Sequence, residues 1–449
     1  MQNMMFHPGG NQNEDDPVAT WLLKISQTTL IVVLGLLPLL FVPIAYAPFG
    51  YSKIFFVLVG VAISLLFFTL YVLREGIFTF NRSLVLIALW ALVGAYGVSA
   101  LFSGDMKDAL IGEAFSIHSA AFVFLFAAVA TATMVLSNSK SSIVRLYGLF
   151  ILSGIVLSLF HILRIVFGVD FVSLGIFTTL TDTPIGAWNG LALYFGLVLL
   201  IAIVAVEQLP LTRPGKIIIG IFSALALFML MLVNYFAVWV VLAVVSIVML
   251  IYSLTRKHYR KTESLITSEN KNSLMSTILT TTVMLVSLLF IFGGETLGTS
   301  LTKYTGVSYL EVRPSFSATV DIARGVYSEN AIFGIGPNKF NDAWRLYKDP
   351  SINPTMFWDT NFEAGNGYIT TAFATTGIFG VIAWLAFFAL ILVYGFRMFY
   401  NNSHIDRFWS FIGTSSFVGT VYLLGMSAIY IPSGTILILA AVCTGVFLT

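Results

Sequence analysis

Charge is what this chain has least of: Asp, Glu, Lys and Arg make up 10% of its 449 residues, while 58% are hydrophobic. With a mean hydropathy of +0.93, that scarcity excludes a soluble globular domain. The net charge of +2 comes from basic residues scattered among loops rather than gathered on one face, so no nucleic-acid partner is expected. Cysteine is nearly absent. The single Cys443 lies in the last apolar run, which excludes a disulfide framework and a cysteine metal site. Ionisable side chains are missing from the middle of the apolar runs, where ion-coupled transporters and proton relays keep them. His161 and Arg164 sit toward one end of the fifth run and Glu207 at the edge of the sixth, positions from which snorkelling suffices.

What is present is a series of apolar runs of about twenty residues, the length that crosses a ~30 Å hydrocarbon core. They are too long and continuous for β-barrel strands, so the fold class is all-α, a polytopic transmembrane helical bundle. Spans are expected near residues 28–48, 52–73, 83–102, 117–136, 143–167, 188–206, 215–233, 235–254, 276–292, 369–394, 409–431 and 433–449, about twelve helices in all. Residues 1–27 form a polar tail, 28–292 hold the first nine spans, 293–368 form a long loop and 369–449 hold the last three spans. Tight turns at Asn234 and at Pro432-Ser433-Gly434 separate neighbouring spans. The tail carries Glu14, Asp15 and Asp16 with Lys24 as its only base, a poor match to a signal peptide. The A-x-A at Ala45–Ala47 reads as coincidence, and the first span as retained.

Basic residues follow alternate loops: Arg74 and Arg82, Lys140 and Arg145, Arg213 and Lys216, the group Arg256, Lys257, Arg260, Lys261 and Lys271, then Arg397 and Arg407. The positive-inside rule puts these loops and both termini in the cytoplasm, and the long loop outside. Within that loop Phe316, Val320, Ala323 and Tyr327 recur at helical spacing after Pro314. A second amphipathic helix is expected from about Asn338, with Phe340, Trp344 and Tyr347 as its apolar stripe and Lys339, Asp342, Arg345 and Lys348 on its polar side, a pattern suited to a lipid headgroup boundary. The simpler reading of both helices is a lid packed over the bundle. Between them "FGIGP" (333–337) reads as a turn whose glycines permit close backbone approach.

The loop mixes bases (Lys303, Arg313, Arg324, Lys339, Arg345, Lys348) with acids (Glu295, Glu311, Asp321, Glu329, Asp342, Asp349, Asp359, Glu363), as a site needs that holds an anionic group and moves a proton. It has no histidine and no D-x-D, which leaves Asp359 and Glu363, four residues apart, as the remaining place for a hard cation. Metal-free chemistry without a cofactor is the expectation. His118, at the outer start of the fourth span, reads as an interface residue.

Four stretches resemble the bacterial O-antigen ligase and polymerase family. "LFSGDMKDALIGEAF" (101–115) is similar to the family's first outer-loop pattern, and "TPIGAWNGLALYFG" (183–196) to its Pro-x-Gly-x-x-Asn-x-x-Ala entry into a span. "VRPSFSATVDIARGVYSENAIFGIGPNKF" (312–340) resembles the long-loop signature, and "NGYITTAFATTGIFGVIAWLAFF" (366–388) the span that follows. The likeness covers most of the chain in span number, orientation and loop position. It implies a multi-pass enzyme of the bacterial cytoplasmic membrane. Such enzymes move a glycan from a polyprenyl diphosphate carrier to a glycan, lipid or protein acceptor on the outer face.

Arg313 matches the family's long-loop arginine, whose implied role is to grip diphosphate oxygens; a planar donor fork at a membrane surface suits a phosphate in its own right. The plain alternative is that Arg313 pairs with Glu311 or Asp321. Two positions depart from the family. Its His-Asn pair before the tenth span reads Gly365-Asn366 here, and Tyr235 stands where many members carry a second Arg. Glu363 is the substitute base, given partial burial to raise its pKa, with Asp359 as second choice. Arg345 or Lys339 would replace the lost arginine, and Arg324, Asn366 and Tyr368 complete the expected substrate-binding set. A noncatalytic binder or translocator of lipid-linked saccharide is the other reading, favoured by the missing histidine.

Overall fold

The computed structural model describes residues 4–6, 16–42, 49–76, 78–80, 82–113, 115–263, 273–355, 357–400 and 406–449. Glu14, Asp15, the Ala45–Ala47 motif and Lys271 lie outside the described residues. Asp16 accepts the Val18 amide at 2.9 Å and Pro17 takes the first helical position, so helix α1 runs Pro17–Gly35. It therefore starts before the expected 28–48 span. Nothing from Pro17 to Gly35 breaks a helix, whereas Pro38 stands just past its end and disfavours a continuation; residues 43–48 of the expected span lie outside the described residues.

The other helices are α2 (Phe49–Glu75), α3 (Leu84–Leu101), α4 (Met106–Leu110), α5 (Ala120–Leu136), α6 (Lys140–Phe167), α7 (Trp188–Gln208), α8 (Arg213–Val233), α9 (Phe236–Glu263), α10 (Ser273–Thr305), α11 (Phe316–Asn330), α12 (Phe340–Tyr347), α13 (Tyr368–Tyr400), α14 (Arg407–Ile429) and α15 (Gly434–Phe447). A small antiparallel ribbon pairs β1 (Met4–Phe6) with β2 (Phe78–Phe80). Among the described residues ten helices are long and apolar enough to cross a membrane, and α5 and α15 are shorter apolar helices. The architecture is thus helical and suited to a lipid bilayer. Helix α10 continues to Thr305, so Glu295 and Lys303, expected in the loop, lie on a helix.

Contacts divide the chain into two units, one of Met1–Phe150, Glu311–Arg397 and Leu424–Thr449, the other of Ile151–Leu310 and Met398–Leu423. In the second, α7 is buried on nearly every side against α8, α9 and α10. Asn234, in the left-handed conformation at φ 50°, ends α8 at the expected turn, and its Nδ2 donates to the Gly294 carbonyl at 2.8 Å. Arg164 does not snorkel: it is 0% exposed and donates to the carbonyls of Val169, Phe177, Thr179 and Asp182. The loop after α6 folds back over its guanidinium and satisfies it there. His161 is buried with Nε2 3.1 Å from Thr183 Oγ1. Glu207 is buried too, accepting from Ser276 Oγ at 2.6 Å. Each of the three side chains has at least one hydrogen-bond partner in the fold.

In the first unit α1 and α2 are joined by reciprocal bonds, Ser26 Oγ to Ser64 O at 2.8 Å and Ser64 Oγ to Ser26 O at 2.9 Å. Helices α5 and α15 cross closely: a methyl group on Gly445 would lie 2.5 Å from the Ala130 carbonyl oxygen. Helices α11 and α12 form where amphipathic helices are expected, but their apolar faces turn inward. Ile322, Ala323, Val326, Phe340, Ala343, Trp344 and Ala374 make one core, so the stripe expected at a headgroup boundary is occupied by protein and the helices act as a packed lid. The buried face of α11 is Thr319, Ile322, Ala323 and Val326, with Phe316 exposed, a turn of about 80° from the expected face, which shares Ala323. Tyr347 lies against Gly325, where a Cβ would meet its ring at 2.5 Å. That contact sets how α12 crosses α11.

Candidate functional site

Arg313 lies on the extended segment that leads into α11. Its Nη1 donates to the carbonyl oxygens of Asn366 at 3.0 Å and Ile429 at 3.1 Å, and its guanidinium carbon is 5.0 Å from the Tyr430 ring centroid. Tyr430 in turn donates its hydroxyl to Glu311 Oε2 at 3.1 Å, and its carbonyl accepts the Tyr368 amide at 3.0 Å. Arg313 thus holds the start of α13 to the end of α14, two helix ends from distant parts of the chain. Asp321 is taken by Arg324, at 2.8 Å and exposed to water.

Tyr368 connects this cluster to a residue that sequence spacing did not single out. Its hydroxyl donates to the Ile117 carbonyl at 3.0 Å, and its ring stacks on the His118 imidazole with centroids 5.3 Å apart. His118 is 8% exposed, and burial lowers its pKa from 6.5 to about 4, so the imidazole is neutral at physiological pH. It is not the interface residue expected. The signal in the sequence was weak, because a lone histidine on a different loop gives no spacing to read.

Gly365, where the family resemblance puts a histidine, is buried against α11. A Cβ there would lie 2.5 Å from Thr319 Cγ2 and 2.6 Å from Thr319 Oγ1. Thr319 Oγ1 accepts the Asn366 amide at 2.8 Å and donates to the Ser315 carbonyl, while the Gly365 amide donates to Thr371 Oγ1 at 3.0 Å. The missing side chain therefore permits a close backbone approach that carries hydrogen bonds.

The remaining expected residues are held apart in local pairs. Glu363 and Asp359 are exposed, so the burial expected to prepare Glu363 as a base is not there. Arg345 donates Nε to Asn361 Oδ1 at 3.0 Å. Lys339 has an ammonium 3.6 Å from Asp342 Oδ2. Neither is shown reaching Arg313. The structure brings together Arg313, Asn366 and Tyr368, adds His118, Glu311 and Tyr430, and leaves Arg324, Lys339, Arg345, Asp359 and Glu363 on the lid and its flanks.

Two further contacts join stretches 101–115 and 312–340. Asn338 Nδ2 donates to Asp108 Oδ1 at 2.9 Å, and the Phe102 and Phe333 rings stack at 4.4 Å. Among the described residues no group of three or more His, Cys, Asp or Glu side chains converges as a metal site would require. No protein-family model matches the sequence, and comparison with curated proteins returns no relative.

Proposed function

We propose that this protein is a membrane glycosyltransferase of the O-antigen ligase and polymerase kind, acting on the outer face of the bacterial cytoplasmic membrane. The ten long helices together with α5 and α15 are its twelve spans. Both termini are cytoplasmic, and α11 and α12 lie outside. One observation carries the reading: three of the four stretches that resemble the family pack into one cluster, with Arg313 bonded to the backbone at the start of α13.

The acceptor hydroxyl attacks the anomeric carbon of the donor glycan. The new C–O bond forms as the bond to the diphosphate breaks, and polyprenyl diphosphate leaves with the bonding electrons. A fixed guanidinium beside the leaving group stabilises the charge that develops there. His118 is the base best prepared to take the hydroxyl proton. It is unprotonated in the resting site, and an arriving diphosphate raises its basicity by opposite charge. Glu363 is the second candidate.

A noncatalytic binder of the same lipid-linked saccharide is favoured by two facts, the surface position of both loop carboxylates and the close packing at Gly365. Proteoliposomes given a polyprenyl diphosphate-linked oligosaccharide and an acceptor distinguish the readings. Turnover in the wild type, reduced about 100-fold or more in Arg313→Lys and His118→Gln, supports the transferase. Turnover that is unchanged in both variants ends it. Saturable donor binding with no product selects the binder.

A further inference from the structure

We propose that residues 331–336, between α11 and α12, form a re-entrant wedge that enters the bilayer beside α13 and presents Ile332 and Phe333 to lipid acyl chains. The inference does not depend on the transfer reaction. It begins with a break in a membrane helix. Inside α13, Gly377 adopts φ 61° and ψ −164°, which no helix contains. Such a break strands carbonyl groups before it and amide groups after it, which hydrocarbon cannot satisfy.

Four backbone groups at the break are taken by the wedge. The Ile335 amide donates to the Ala374 carbonyl at 3.0 Å and the Gly336 amide to that of Thr375 at 2.9 Å. In the other direction the Ile378 amide donates to the Ala331 carbonyl at 2.9 Å and the Phe379 amide to that of Ile332 at 3.1 Å. Ser99 Oγ, near the end of α3, closes the junction by donating to the Phe333 carbonyl at 2.7 Å. Gly334 makes the approach possible: at φ +70°, a Cβ on it would lie 2.5 Å from the Ala374 oxygen. Non-helical backbone at membrane depth is tolerated when protein satisfies it, and here protein does.

The side chains tell the same story. From Tyr368 to Gly377 no residue of α13 is exposed, whereas Ile378, Phe379, Ile382 and Leu385 all are. The apolar outer face of α13 therefore begins at the break. Ile332 is 60% exposed, Leu101 and Phe102 at the end of α3 are exposed too, and the Phe333 ring contacts those of both Phe102 and Phe379. Ala331-Ile332-Phe333-Gly334-Ile335-Gly336 offers no polar side chain to water. The patch is continuous with the lipid-facing sides of α3 and α13, and that continuity identifies acyl chains as its occupant. From Ile378 to Tyr400 the helix is about 35 Å long, so the break and the wedge bonded to it lie at the edge of the hydrocarbon rather than at its centre.

The test is spin-label accessibility in proteoliposomes, with the full chain in a Cys443→Ser background and single labels at Ile332→Cys, Ile382→Cys and Leu346→Cys. Ile382 is the lipid reference; Leu346, exposed on α12, is the water reference. The oxygen-to-nickel-chelate accessibility ratio at 332 is expected to shift to that at 382. A ratio equal to that at 346 overturns the proposal, and a label shielded from both reagents does so too, because a second copy of the protein would then cover the patch. Leu101→Cys repeats the measurement on a regular helix, and a water-like ratio there is equally decisive against the wedge.

Discussion

Placing at Gly365 the histidine that the family resemblance puts there is the obvious experiment on this sequence, and the packing predicts that it fails for a mechanical reason. A Cβ at 365 would overlap Thr319 Cγ2 and Oγ1 at 2.5 and 2.6 Å, about 1 Å inside ordinary carbon contact. Gly365→Ala alone is expected to cost about 1–3 kcal/mol as overpacking. Thr319→Ala alone leaves the Asn366 amide without its acceptor, also about 1–3 kcal/mol. In the double variant both offending atoms are gone, so the first cost shrinks to contact with Thr319 Cβ at 3.1 Å while the second remains. The pair should therefore be less destabilised than the sum of the singles, by roughly 1–2 kcal/mol. Denaturant titration in detergent micelles, followed by near-UV circular dichroism, measures all four corners of the cycle. Additivity within about 0.5 kcal/mol would mean that the two residues do not touch as described.

Lowering the pH should expose His118. Burial holds its pKa at about 4 against an ordinary 6.5, so its contribution to stability is complete above pH 6.5 and is lost as the pH falls toward 4. The loss is about 3 kcal/mol in total, and His118→Gln should lack it when both proteins are unfolded across that range. Arg164→Lys replaces a planar fork that serves the carbonyls of Val169, Phe177, Thr179 and Asp182 with a single ammonium. About 2–4 kcal/mol of local stability should go, read as faster proteolysis between residues 168 and 187 with the helices intact.

The helices were legible because each apolar run carries its own length, and because terminators such as Asn234 and Pro432 act locally. Boundaries slipped where the deciding residue was polar but harmless to a helix: Lys24, Ser26 and Gln27 read as tail, yet lie within α1. The inward turn of α12 was not legible, since an amphipathic stripe says that one face is apolar and not what covers it. Phe340 and Trp344 face α11 and α13 for reasons written in those helices. Arg313 was visible as a cation in the long loop, but its bonds to Asn366 and Ile429 join positions far apart in sequence. His118 reads from the sequence as an interface residue for the same reason, because its contact with Tyr368 joins positions far apart in the chain. Gly365 was read as an absence, when the space it leaves is filled by Thr319.

The wedge also has a consequence for how the chain is made. Residues 331–336 leave the ribosome before α13 does, and Ser99 earlier still, so the partners of the Gly377 break are already synthesised when that helix is offered to the bilayer. A span that carries its own interruption can then be integrated at once, with no interval in which its open peptide groups wait for a later segment.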